Sequence, residues 1–88
     1  MEFIILFKFR RKPSKTEVEK TNKVIAEAED FGVKTSSVWW TLGRWDGVRI
    51  FEARNEKAMM KFLLAVPDVV TTETLLAVPR DEAVKLLG

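Results

Sequence analysis

Trp39-Trp40-Thr41-Leu42-Gly43-Arg44-Trp45-Asp46-Gly47-Val48-Arg49-Ile50-Phe51-Glu52 holds all three tryptophans and two of the four glycines of the chain. Two aromatic and β-branched runs flank a glycine-bearing middle, which predicts a β-hairpin. Its turn can be placed in two ways. Asp46-Gly47 is a strong short hairpin signal, since both central residues of a type I′ turn need a positive φ. That choice pairs Trp45 with Val48 and Trp40 with Ala53, and leaves residues 34–39 without a partner. A turn around Gly43-Arg44 instead pairs Leu42 with Trp45, Thr41 with Asp46, Trp40 with Gly47 and Trp39 with Val48. The second register gives strands of similar length and lays an aromatic ring over a strand glycine. It is the one adopted here, and it puts Arg44, Trp45 and Asp46 at the hairpin tip.

Working outward, Phe3 to Phe9 reads as a strand, too short for a helix and dominated by aromatic and β-branched residues. Phe3, Ile5, Phe7 and Phe9 share one face; Ile4 and Leu6 share the other. A strand apolar on both faces is an aggregation hazard at an edge, so it is expected at the centre of a sheet. After Pro13, Ser14 with Glu17 or Thr16 with Glu19 fits a capping box. The helix is expected to run to about Phe31 and stop at Gly32, with Val18, Val24, Ile25, Ala28 and Phe31 as its apolar stripe. Lys34 to Leu42 and Asp46 to Ala53 are the hairpin strands. Asn55 caps a second helix, with Ala58, Met59, Phe62, Leu63 and Val66 at helical spacing and Met60 taken as core filler with Met59. Val69 to Val78 is the last strand. Pro79 opens a short amphipathic helix with Ala83, Val84 and Leu87 on one side.

The order βαββαβ is the ferredoxin-like, α+β arrangement of a four-stranded antiparallel sheet. Residues 1–88 form one domain. The helices cover one sheet face, and the other would be a large exposed apolar patch. A homodimer through that uncovered face is the expected solution.

Composition narrows the chemistry. Hydrophobic residues make up 47% of the chain, too many for disorder. Fifteen basic and thirteen acidic side chains give a net charge of +2, near balance, which argues against nucleic acid or an anionic membrane as partner. Cysteine and histidine are absent. Disulfides and thiolate metal sites are therefore excluded, and the commonest metal ligand and general base are missing. No metal and no cofactor is expected. The charged fraction of 32%, with no glutamine, leans toward a thermophilic source. No signal peptide or membrane span is expected, and the protein is read as cytoplasmic.

Trp40-Thr41-Leu42-Gly43-Arg44-Trp45-Asp46, then Ile50-Phe51-Glu52-Ala53, then Thr72-Glu73-Thr74-Leu75-Leu76-Ala77 resembles the GYD domain family, and Phe3 to Phe9 fits that family's first strand. Trp45 stands where the name-giving motif has tyrosine, and Arg54-Asn55 where the family often has Pro-Asp. The hairpin, following helix and Val-Thr strand are also similar to the ligand-binding half of Lrp/AsnC-type regulators. Both resemblances imply the dimeric α+β barrel, two sheets packed face to face. Neither implies an activity, because fold and function are separable.

Three functional readings stay open: a homodimeric small-ligand-binding or sensor module, a cofactor-free enzyme acting on a small hydrophobic substrate, and an RNA-binding domain. The last rests on Lys8, Arg10, Arg11, Lys12 and Lys15 beside Phe7 and Phe9, and lacks the RNA-recognition signature. A small-molecule site is expected between the sheet and the helices, near Trp40, Arg44, Trp45 and Asp46, with Lys8 contributing. Asp46 and Arg44 can serve as acceptor and donor for a ligand or as an acid/base pair. Asp46 can equally bond backbone N–H groups at the turn. Two of the three tryptophans are expected in the core or an interface.

Overall fold

The computed structural model describes residues 1–88. Its elements are β1 (Glu2–Phe9), α1 (Lys15–Ala28) continued by a 3-10 turn (Glu29–Phe31), β2 (Val33–Trp40), β3 (Gly47–Ala53), α2 (Glu56–Ala65), β4 (Val70–Ala77) and α3 (Arg80–Val84) with a closing 3-10 turn (Lys85–Leu87). The four strands form one antiparallel sheet in the order β2-β3-β1-β4, the ferredoxin-like topology. The strand apolar on both faces, β1, is central, where neighbouring strands satisfy both of its edges. No helix is long and apolar enough to cross a membrane.

The hairpin takes the register with its turn around Gly43: Trp40 pairs with Gly47, Trp39 with Val48 and Val38 with Arg49. Thr41 N–H donates to the Asp46 carbonyl at 2.8 Å, one step beyond the last paired residues. Gly43 has φ 117°, a left-handed backbone only glycine takes without strain. Nearer the other end, Ser36 is bulged out of the ladder between Thr35, opposite Phe51, and Ser37, opposite Ile50. The ring over Gly47 corrects the expectation: it is Phe7, not Trp40. Gly47 lies in β3 between β2 and β1, so it has a cross-strand neighbour on each side, and Phe7 is its partner on β1.

α1 starts at a capping box in which Ser14 and Glu17 each accept the other's backbone N–H at 3.1 Å. Thr16 and Glu19 are not used in this way. Gly32 ends the segment at φ 90°. Asn55 Oδ1 accepts from Ala58 N–H at 2.8 Å and starts α2. The core sits between the helices and one sheet face. It is built from Phe3, Ile5, Ala28, Val33, Phe51, Ala53, Ala58, Met59 and Phe62, with Val24, Ile25, Phe31, Leu63 and Val66 packed on it. Met60 is not core filler. It is 56% exposed, because one residue along a helix turns the side chain about 100° away from Met59.

One polar atom in this interior stands alone: the Thr35 hydroxyl is buried without a hydrogen-bond partner. Valine keeps the β-branched shape a strand favours and removes that desolvated group. Thr35→Val is therefore expected to stabilise the protein by about 1 kcal/mol. In a domain of this size that raises the melting temperature by roughly 4–8 °C. A lowered melting temperature would show that the hydroxyl is satisfied after all.

Strand pairing assigns the other sheet face. Ile4 and Leu6 of β1, Val48 and Ile50 of β3, Trp39 of β2 and Leu75 of β4 point away from the helices. Glu2, Lys8, Lys34, Glu52 and Glu73 share or border this face. Neither Trp39 nor Trp40 lies in the core of the chain; they are 64% and 62% exposed. From Val78 to Gly88 every residue is exposed, including Val84, Leu86 and Leu87.

Candidate functional site

The helices do not close over the whole of the sheet face they cover. Between the N-terminal half of α1 and the ends of β1 and β4 lies an open pocket of about 230 Å³. Its floor is the inward row of the strands: Ile5, Phe7 and Phe9 of β1, Arg49 and Phe51 of β3, Val38 and Trp40 of β2, Val70 and Thr72 of β4. Val18, Thr21, Asn22 and Ile25 of α1 form one wall, and Phe62, Leu63 and Val66 close the far side. Within that floor, Phe9 meets Phe7 edge-on at 5.6 Å and Trp40 edge-on at 5.2 Å, so the three rings pack in series.

Two charged residues line this space, Glu17 and Arg49. Glu17 is committed elsewhere. Its carboxylate accepts from Ser14 N–H at 3.1 Å and from Arg11 Nη2 at 2.6 Å. The Ser14 backbone bond, then the Arg11 charge, hold its pKa below the ordinary value. Arg49 has no such partner. No hydrogen bond or ion pair reaches its guanidinium, which lies 5.9 Å from the centre of the Phe51 ring. Burial lowers its pKa from the ordinary arginine value. It still carries its charge at neutral pH, because arginine does not deprotonate in proteins.

Of the residues expected at the site, Trp40 lines the pocket, while Lys8, Arg44, Trp45 and Asp46 do not. Arg44, Trp45 and Asp46 sit at the hairpin tip, and Lys8 reaches it from β1. Asp46 Oδ2 accepts from Phe9 N–H at 2.8 Å, and Asp46 N–H donates to the Phe7 carbonyl at 2.9 Å. The tip is thereby fastened to the end of β1. Lys8 Nζ donates to the Arg44 carbonyl at 3.2 Å, and Thr41 Oγ1 donates to the Trp45 carbonyl at 2.7 Å. The Arg44 guanidinium lies 5.8 Å from the centre of the Trp45 ring.

Asp46→Ala leaves Phe9 N–H without its acceptor in a half-buried position. A stability loss of about 1–2 kcal/mol is expected, read as a lower denaturant midpoint at unchanged slope. An unaltered midpoint would show that this bond contributes nothing and would return Asp46 to the list of ligand contacts.

Arg49 was not among the residues singled out from the sequence, although a signal for it exists. Side chains alternate along a strand, so Gly47, Arg49, Phe51 and Ala53 share one face. If Phe51 is core, Arg49 points toward the helices, and an inward arginine in a central strand is unusual.

Among curated proteins none matches the chain. The profile of the GYD domain matches residues 3–87. That span takes in β1, the tryptophan-rich hairpin and every strand beneath the pocket, and on it the chain belongs to the GYD domain family.

Proposed function

We propose that the protein is a small-ligand-binding module that works as a homodimer, with the ligand in the pocket between α1 and the sheet. The pocket is the observation that carries this reading: it is preformed, mostly apolar, and holds a few polar groups, the mix small-molecule sites use. Binding rather than catalysis is inferred because the one carboxylate lining it, Glu17, is occupied by Ser14 and Arg11.

A second copy is the expected cover for the open sheet face. Ile4, Leu6, Trp39, Val48, Ile50 and Leu75 make it apolar, and charges of both signs border it, which suits a self-complementary two-fold contact. The exposed Val84, Leu86 and Leu87 add apolar surface that the chain's own body leaves uncovered.

Native mass spectrometry of the purified chain reads both halves of this proposal. The expected result at low micromolar concentration is a dimer that retains a small molecule, and Ile50→Glu is expected to convert it to monomer. A monomer with no retained or added small molecule bound would sink both halves.

A further inference from the structure

We propose that the pocket takes a small amphipathic carboxylic acid, with Arg49 binding the carboxylate and the aromatic and aliphatic walls enclosing the apolar part. This deepens the small-ligand reading and rests on it. Thirteen of the nineteen lining residues are hydrophobic, so the body of a well-fitting ligand is apolar. Arg49 is the one cation among them. It lines the cavity with no protein acceptor bonded to it, and a guanidinium offers the fork that matches a carboxylate in two parallel bonds.

The arrangement is costly without a ligand. A charge drawn partly out of water and left unpaired destabilises the fold, and Glu17, the one carboxylate in the pocket wall, is held by Arg11 and Ser14. An arriving anion offsets that cost, which gives acids a specific advantage over neutral molecules of the same shape. A single guanidinium, with no second cation in the lining, fits one negative charge better than the two of a phosphate monoester. Size limits the apolar part. A cavity of about 150 Å³ accommodates benzene. The pocket here, at about 230 Å³, has room for one ring and a short acid chain.

The test uses the full chain with three probes of matched chain length: 3-phenylpropionate, 3-phenylpropanol and benzyl phosphate, titrated by calorimetry. The acid is expected to bind at least about tenfold more tightly than the alcohol, in line with one charge-assisted pair, and more tightly than the phosphate. In Arg49→Met the preference for acid over alcohol is expected to vanish while the unliganded melting temperature rises. Arg49→Lys, which keeps the charge without the fork, is expected to retain part of the preference and serves if the methionine variant does not fold. Equal affinity for acid and alcohol in the wild type overturns the carboxylate assignment and leaves the pocket reading standing. Tighter binding of the phosphate, or a preference that survives Arg49→Met, also overturns it. Absence of binding by all three probes overturns the assignment together with the pocket reading beneath it.

Discussion

Phe51→Ala is expected to cost about 3–5 kcal/mol. Phe51 is fully buried, in a central strand, with its ring 4.8 Å from that of Phe62 on α2. It is where the sheet and the second helix meet. Alanine would remove that ring contact and open a void continuous with the pocket, whose floor Phe51 helps to form. A void open to solvent fills with water, so the walls lose apolar contacts without being able to collapse. Domains of this size are stable by only about 5–15 kcal/mol, so the variant is expected to be on the edge of folding at growth temperature. Thermal melting followed by circular dichroism should show a midpoint lowered by on the order of 20 °C. A loss under about 1.5 kcal/mol would mean that Phe51 does not anchor the core.

The second large effect comes from adding an atom. At Gly47 a Cβ would lie 2.7 Å from Phe7 Cε1 and closer still to Cζ, well inside van der Waals contact. Any shift of the ring disturbs its neighbours. Phe9 stands edge-on to it and Trp40 edge-on to Phe9. Gly47→Ala is therefore expected to destabilise by about 2–3 kcal/mol through overpacking in a central strand. The displaced rings line the pocket, so ligand affinity should fall in the same variant. Phe7→Leu in the alanine background should recover part of the stability, giving a coupling of the sign expected for residues in contact. If Gly47→Ala melts with the wild type, the ring and the strand are not packed as described.

Much of this architecture was legible from pattern alone. The double-sided apolar run at Phe3 to Phe9 demanded a central strand. The choice of Gly43 over Asp46-Gly47 as turn followed from giving residues 34–39 a partner. Both are local requirements, and both hold in the fold. The misses concern what a strand meets on its second side. The cover of Gly47 was assigned to Trp40, its partner within the hairpin, when Phe7 arrives from a strand some forty residues earlier. The tip residues Arg44, Trp45 and Asp46 lie outside the pocket, with the Asp46 carboxylate bonded to β1 and the Arg44 and Trp45 carbonyls taken by Lys8 and Thr41. Arg49 becomes legible only once Phe51 is placed in the core, since the two share one face of β3. Helical packing, which decides that the floor beneath α1 stays open there, is not written in any short stretch.

The Ser36 bulge has a consequence for how this chain tolerates changes in length. Along a strand, loss of one residue normally inverts every later side chain, sending inward residues out to solvent. Here one residue already stands outside the count: Thr35 faces Phe51 and Ser37 faces Ile50, with Ser36 unpaired between them. Removing Ser36 joins Thr35 to Ser37 and restores plain alternation, so Val33 and Thr35 stay inward, as do Val38 and Trp40. Because positions 36 and 37 are both serine, deleting either codon gives the same protein. Within β2 this is the place where a one-codon deletion is expected to leave a folded domain, whereas deleting Val38 should not. Homologous hairpins one residue shorter than this one are then expected to have lost their residue at the serine pair.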